Sequence, residues 1–444
     1  MRQAAASDSA ASRAQLLSAL TAGPSDEKGR YLHWTDLRHK VPPKGLDRQL
    51  WWAGTRNARR HVGVDLPLNG FGDEPFWFCP HNVMLSRLHW ADINAAGAMS
   101  GEPALADPAS RRRYLMRNLV EEAISSSQLE GASTTTAVAR TMVASGRAPD
   151  DRDERMILNN YRAMQFIRSV RGEPLSLDVV FELHRIATEG TFERPDHAGR
   201  LRTAADAAVV VEDRRTQDTV HVPPRVDQLE SRLRELVAFA HGDPSTSSVF
   251  IHPLVRAIAL HFMIGWIHPF IDGNGRTARA LFYWSASRSD YGMIEYLSIS
   301  AALKRAPIAY LHAYLRTETD GNDLTYFIDH QLDVLAASIA HLQEAFQQRI
   351  AETRRSRALL EGNGTLRSHL NLRQTLLLQH ALDHPHDAIT IATHMARHQV
   401  THQTARKDLV DLVEKFQLLD KHTEGRRFVF TAPADLTKRM ARCR

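Results

Sequence analysis

One junction in this chain constrains its fold more than any other. Residues Ile251 to Ile267 run apolar, with only scattered polar positions. Such a run reads as a helix buried on every side. It meets His268-Pro269, and a proline disfavours helical backbone at the residue before it, so the helix is expected to end about His268. Gly273 and Gly275 then allow tight turns that a side chain would obstruct. A second helix is predicted from near Gly275 through Arg276, Arg279, Leu281 and Trp284. A mainly α protein built round a helix–loop–helix is the expectation.

The loop is dense in chemistry. Backbone amides around Gly273 to Arg276 would point out of a helix N-terminus, which binds phosphate through unpaired N–H groups and the helix dipole. Arg276 and Arg279 are three apart, on one helix face, and two forked guanidiniums suit a polyphosphate. Asp272 is a hard oxygen ligand of the kind that suits Mg²⁺, which keeps waters and bridges phosphates. Asn274 offers an amide donor to a phosphate oxygen. His268, with an ordinary pKa of about 6.5, is fit to take a proton from a hydroxyl. Taken alone, His268-Pro269 at the end of an apolar helix would be read as structural, and Arg276 with Arg279 as a solvated face. Together they form a kit for gripping a phosphate chain beside a metal ion and a proton acceptor.

The stretch His268-Pro269-Phe270-Ile271-Asp272-Gly273-Asn274-Gly275-Arg276-Thr277-Ala278-Arg279 resembles the signature of the Fic family, His-x-Phe-x-Asp/Glu-Gly-Asn-Gly-Arg-x-x-Arg, at every specified position. The resemblance implies a Fic-type helical bundle. It implies that His268 deprotonates a Ser, Thr or Tyr hydroxyl of a target protein, that this oxygen attacks the α-phosphate of ATP, and that pyrophosphate leaves. It implies that Asp272 holds Mg²⁺, that Gly273, Asn274, Gly275 and Arg276 bind nucleotide, and that Arg279 contacts the γ-phosphate. Relatives with lysine at the position of Gly275 transfer a γ-phosphate instead, so glycine favours nucleotidyl transfer. The expected activity is adenylylation of a target protein or of the chain itself. Alternatives are a donor such as UTP, GTP or a choline-bearing diphosphate, or a DNA-binding regulator whose Fic site senses nucleotide.

Upstream, Ser126-Ser127-Gln128-Leu129-Glu130-Gly131 resembles the Fic inhibitory motif, Ser/Thr-x-x-x-Glu-Gly/Asn. It closes a predicted helix whose apolar face carries Leu115, Leu119 and Ile124, with Gly131 as C-terminal cap. The resemblance implies that Glu130 pairs with Arg279 and denies that arginine to the γ-phosphate, giving an autoinhibited enzyme with its inhibitory helix N-terminal to the core. In some relatives this glutamate aligns water to remove AMP, so de-AMPylation is a second role open to Glu130.

Between the motifs, Gly199-Arg200-Leu201-Arg202-Thr203 resembles the segment preceding the Fic flap. Val209 to Val211 and Thr219 to Val222 flank a polar turn and read as a hairpin. The resemblance makes it a docking flap, with Val209, Val210, Val220 and Val222 holding the target by β-augmentation. An ordinary surface hairpin is the alternative. Glu318 to Thr325 reads as a helix-linking turn and lacks the ligand spacing of an EF-hand.

The expected order is a terminal segment 1–30, an aromatic-rich accessory region 31–110, a catalytic domain 111–330, a linker helix 331–370 and a winged-helix domain 371–444. In the last, Leu372 to Leu382, Ile389 to Arg397 and Thr401 to Leu418 read as helices and Lys421 to Thr431 as a β wing turning at Glu424-Gly425. Thr401, His402, Gln403, Thr404, Arg406 and Lys407 are residue types that touch phosphates and base edges, and Arg426 and Arg427 could grip a backbone. From Thr401 onward ten Lys/Arg face six Asp/Glu, a mild excess, so DNA binding competes with partner docking or dimerisation. Trp34, Trp51, Trp52, Phe71, Phe76 and Trp77 must bury something, as a packed layer rather than a binding surface formed with Arg56, Arg59 and Arg60. No apolar run has the length of a membrane span. Cys79 and Cys443 alone support neither a disulfide framework nor a cysteine zinc site, which fits a reducing, cytoplasmic setting. A net charge of +5 permits acidic partners, and a homodimer is expected by family habit.

Overall fold

The computed structural model describes residues 17–96, 108–206, 208–213, 216–242, 249–362, 369–385, 387–424 and 427–442. The start of the terminal segment, Asn363-Gly364 in the expected linker, and the wing turn at Gly425-Arg426 lie outside them. The described residues form two compact units, one of residues up to 96 with 112–340, the other of 108–111 with 341–442.

The first unit is mainly α. In chain order its elements are α1 (Arg48–His61), β1 (Val64–Asn69), β2 (Pro75–Phe78), α2 (Asn82–Ala95), α3 (Pro108–Leu129, within this unit from Arg112), α4 (Thr136–Ser145), α5 (Arg152–Ser169), α6 (Leu177–Thr188), β3 (Val211–Glu212), β4 (Thr219–His221), α7 (Leu229–His241), α8 (Pro253–Ile267), α9 (Asn274–Arg288), α10 (Ile299–Arg305), α11 (Pro307–Thr319) and α12 (Thr325–Gly362, within this unit to Ala340). The apolar run is α8, and it lies at the centre. Pro253 opens it, the His252 side chain accepts from the Leu254 N–H, and Leu254, Phe262, Ile264, Trp266 and Ile267 are buried. Each such side chain contributes about 1.5–3 kcal/mol through its burial. The helix stops at His268, whose backbone is left-handed at φ 47°. Gly273, at φ 86°, turns the chain into α9, which packs back along α8 and against α5 and α6.

The aromatics near the N-terminus form a packed layer. β1 and β2 pair antiparallel, and Trp77 of β2 exchanges backbone bonds with Asn322 (3.2 Å) and Leu324 (2.8 Å). Trp77 Nε1 also donates to the Gly321 carbonyl at 2.8 Å. Arg59 is buried, with its guanidinium 3.6 Å from the Tyr31 ring centroid and Nη1 donating to Tyr326 Oη at 2.7 Å. Arg56 pairs with Asp320 and Arg60 with Asp65, so these arginines are spent inside the unit. The segment after α11 is a turn, and Thr325 begins α12 with its N–H on Asp323 Oδ1.

β3 and β4 form an antiparallel hairpin, shorter than the valine runs. Val209 and Val210 precede β3 and Val222 follows β4; of the four flap valines only Val220 lies in a strand. The register shifts between Val211 and Glu212, and Pro223-Pro224 has no N–H to extend the ladder.

The second unit holds α13 (Leu372–Asp383), β5 (Ile389–Thr390), α14 (Ile391–His398), α15 (His402–Val410), β6 (Asp420–Glu424), β7 (Arg427–Thr431) and α16 (Leu436–Arg442). The strands lie in the order β5-β7-β6, all antiparallel, over a core of Leu377, Leu378, Leu409, Leu412, Phe430 and Met440. Gln399, left-handed at φ 50°, ends α14, and the Thr401 side chain caps α15. The second helix is shorter than expected: α15 stops at Val410, and Asp411–Lys415 continues as a wider helical turn. Among the described residues no helix is long and apolar enough to cross a membrane.

Candidate functional site

The loop from His268 to Gly273 is held from several sides. His268 Nδ1 donates to the Gly265 carbonyl at 3.1 Å, which leaves Nε2 with its lone pair. Burial pushes its pKa down to about 4, so the ring is neutral near pH 7. Arg202 staples the backbone beside it. Its Nε donates to the His268 carbonyl at 2.9 Å, its N–H to the Pro269 carbonyl at 2.9 Å, and Nη2 to the Pro224 carbonyl. The base of the β3–β4 hairpin is tied to the same place, because the His221 ring lies between Glu318 Oε2 (2.8 Å) and the Trp266 carbonyl (2.7 Å).

His184 of α6 supports the middle of the loop. Its ring stacks on Phe270 with centroids 3.7 Å apart and planes 4° apart. Nδ1 accepts the Gly199 N–H at 3.0 Å, so Nε2 carries hydrogen and donates to the Asp272 carbonyl at 2.8 Å. Burial lowers this imidazole's pKa to about 4 as well. A side chain at Gly273 would place Cβ 2.6 Å from Thr188 Cγ2, so glycine is needed for space as well as for φ. Asn274 is buried and folds back on Phe270, accepting its N–H at 3.0 Å and donating to its carbonyl at 2.9 Å. Asn274 therefore shapes the loop with the amide that the sequence suggested for a phosphate.

The charged groups converge at the start of α9. Asp272 Oδ1 accepts the Gly273 N–H at 2.7 Å, and Oδ2 lies 3.5 Å from Arg276 Nη2 and 3.6 Å from Arg152 Nη2. Arg276 is buried, with Nη1 donating to the Ala187 carbonyl at 2.6 Å. Its Nε is also buried and has no partner among the described residues. Gly273 caps α9 without a side-chain acceptor, leaving the helix start open to an anion.

Glu130 meets Arg279 from α3. Arg279 is buried, with Nη2 2.8 Å from Glu130 Oε1, Nε donating to Ser126 Oγ at 2.9 Å, and Nη2 also reaching the Ser126 carbonyl at 3.1 Å. α3 is pinned here: Glu122, one turn before Ser126, takes Ser300 and Ser298, Ser127 donates to the Met156 carbonyl, and Asn160 to the Ala123 carbonyl. Gly131, at φ 100°, ends the motif. Gly275 makes room for the pair, since a Cβ there would lie 2.1 Å from Glu130 Oε1 and 3.0 Å from Arg279 Nη1. His268, Asp272, Arg276, Arg279, Ser126 and Glu130 thus share one region of the first unit. His184 and Arg152 also shape it. Neither has a spacing signal, because they reach the loop from 88 and about 120 residues upstream.

The Fic/DOC family matches residues 174–286, a span that includes the loop and all but the last two residues of α9, but not Glu130. The protein named adenylyltransferase Fic from Nematostella vectensis is 30% identical over 162 residues, covering 35% of this chain and 34% of that protein. The like-named protein of Drosophila grimshawi is 33% identical over 172 residues, covering 37% of this chain and 32% of that one. The chain therefore spans about a third of the length of these curated relatives. A crystal structure of a Fic family protein from Desulfovibrio desulfuricans G20 superposes with a TM-score of 0.50 at 15% identity, covering 79% of this chain and 95% of that one, a likeness of fold alone. Residues 174–286 thus carry a stretch that matches the Fic/DOC family, within a fold similar to that of a Fic family protein.

Proposed function

We propose that the protein is a Mg²⁺-dependent protein adenylyltransferase held in check by Glu130. The observation that carries this reading is the loop at the start of α9: a neutral His268 with a free Nε2, the single carboxylate Asp272, an uncapped helix start, and a buried Arg276 Nε without an acceptor. A phosphate oxygen would satisfy that N–H and the helix start together. The donor set fits magnesium. One carboxylate suits an ion that keeps most of its waters: Asp272 would hold it, and the ion would supply charge neutralisation at the phosphates. The target hydroxyl oxygen bonds to the α-phosphorus of ATP, its proton passes to His268 Nε2, and the bond to pyrophosphate breaks. Arg276 orients the phosphates, as does Arg279 once Glu130 has left it. The hairpin β3–β4 is read as the docking flap for the target, tied to α8 through His221.

The test uses the Glu130→Gly protein with Mg²⁺ and ATP labelled at either the α or the γ phosphate. Label from the α position alone is expected on the protein or on added target. Label from the γ position would make the enzyme a phosphotransferase, and comparison with UTP and GTP fixes the donor.

A second reading concerns the C-terminal unit, which we take to be a winged helix that contacts DNA. On α15, His402, Gln403, Arg406 and Lys407 are exposed, while Ala405, Asp408 and Leu409 face the core. Asp408 is held by Arg373, Asn371 and His394, so the polar face is firmly oriented. Binding of the full chain to duplex DNA is expected to weaken steeply as salt rises, and to fall in an Arg406→Ala/Lys407→Ala protein. Equal retention by both proteins at all salt concentrations would end this reading.

A further inference from the structure

Arg152 is the first residue of α5, and its place is electrostatically awkward. A cation in the first turn opposes the helix dipole, whereas its neighbours Asp151, Asp153 and Glu154 suit that end. The side chain is 59% exposed, yet it is not loose. Its Nε donates to the Thr191 carbonyl at 3.0 Å, and Nη2 lies 3.6 Å from Asp272 Oδ2. Arg276 reaches the same oxygen at 3.5 Å, but it is fully buried and fixed by the Ala187 carbonyl. Arg152, Arg276 and Arg279 thus surround Asp272 and Glu130, three guanidiniums against two carboxylates.

Resting on the adenylyltransferase reading, we propose that Arg152 is a third phosphate-binding arginine, which holds Asp272 in the free protein and passes to a nucleotide phosphate oxygen when a divalent cation takes the carboxylate. A cation on Asp272 competes for the same oxygen and repels the guanidinium beside it. Arg276 has no freedom to leave. Arg152 does: it is anchored at Nε, its side chain is more than half exposed, and Nη2 meets Asp272 only at 3.6 Å. The anions next to a metal-bound phosphate are that phosphate's own oxygens, and a guanidinium fork matches them. Arg152 therefore guards the metal carboxylate in one state and binds substrate in the other.

The experiment is direct binding in the Glu130→Gly protein, with Arg152→Gln and Arg152→Lys added. Three probes are compared: Mn²⁺ alone, Mn²⁺ with ATP, and adenosine. Arg152→Gln is expected to weaken ATP about tenfold, the scale of one charge-assisted hydrogen bond. It is expected to leave adenosine unchanged and to tighten Mn²⁺ alone, because a competing cation is gone. Arg152→Lys should recover part of the ATP affinity. Parallel loss for all three probes would mark a structural role, and an unchanged ATP affinity would remove Arg152 from the site. Either result leaves the adenylyltransferase reading standing. If ATP binds neither the wild-type nor the Glu130→Gly protein, that reading falls and this inference with it.

Discussion

Alanine at His268, placed in the Glu130→Gly protein, is expected to abolish transfer of α-label while ATP still binds. The loop does not depend on the imidazole for its shape. Arg202 grips the His268 and Pro269 carbonyls, His184 and Asn274 hold Phe270 and Asp272, and none of those bonds involves the His268 ring. Loss of a general base costs about 10²–10⁴ in rate, so transfer should vanish from view and nucleotide affinity should not. The pH dependence follows from burial, which holds the pKa of His268 at about 4. A base works unprotonated, so activity is retained above its pKa and lost as pH falls through it. The acid limb of kcat/KM, which reports the free enzyme, is therefore expected near 4, not near an ordinary histidine's ~6.5. Transfer that persists in the alanine protein would take the base role from His268. An acid limb near 6.5 would mean that the ring is not held neutral.

What the sequence made legible was local. Pro269 ends α8 ahead of it, with His268 as the C-cap, and Gly273 begins α9, because both effects act through the backbone of neighbouring residues. The pairing of Glu130 with Arg279 spans 149 residues, and no spacing rule predicts it. It was anticipated only through the resemblance to a family motif. Asn274 shows another case: its residue type suggested a phosphate donor, and in the structure it is buried with Oδ1 and one of its two amide hydrogens on the Phe270 backbone. Arg276 went partly the same way, with Nη1 spent on Ala187 and Nε left open. His184 and Arg152 were missed because a histidine inside an amphipathic helix and an arginine at a helix start look ordinary until the tertiary fold sets them against the loop. The flap valines failed at the level of length. β-branched residues marked the hairpin, but a register shift and two prolines shortened its strands, and pattern alone does not place such breaks. The packing of Tyr31 on Arg59, with Tyr326 on its other nitrogen, joins residues nearly 300 apart and was visible beforehand only as a surplus of aromatics.

The Glu130→Gly protein is expected to transfer AMP about ten- to a hundredfold faster than wild type, and to unfold at a lower temperature. Both effects come from one contact. The buried Arg279 bonds the half-buried Glu130, Nη2 to Oε1, at 2.8 Å, and a hydrogen bond to a charged partner is worth about 1.5–3 kcal/mol. On the proposed reading, that bond keeps the guanidinium from the γ-phosphate, and the carboxylate puts negative charge where the phosphate would go. Removing Glu130 lifts both obstacles and takes from the buried Arg279 its one hydrogen-bonded carboxylate among the described residues, leaving Ser126 and Tyr310, which costs folding stability. Gain of rate with loss of stability separates a released brake from a general repair of the fold, which would raise both. Gly275→Ala offers an independent route to the same state. Its Cβ would fall 2.1 Å from Glu130 Oε1, and the end of a flexible side chain yields more readily than the helix backbone. Alanine there should displace the carboxylate and speed transfer in the otherwise wild-type chain, yet give no gain, or a loss, once Glu130 is gone, because the same Cβ lies 3.0 Å from Arg279 Nη1. That failure of additivity is the signature of two changes acting on one contact. Initial rates of α-label incorporation in the four proteins, with their melting temperatures, measure it. Equal rates in wild type and Glu130→Gly would mean that the pair does not limit the reaction.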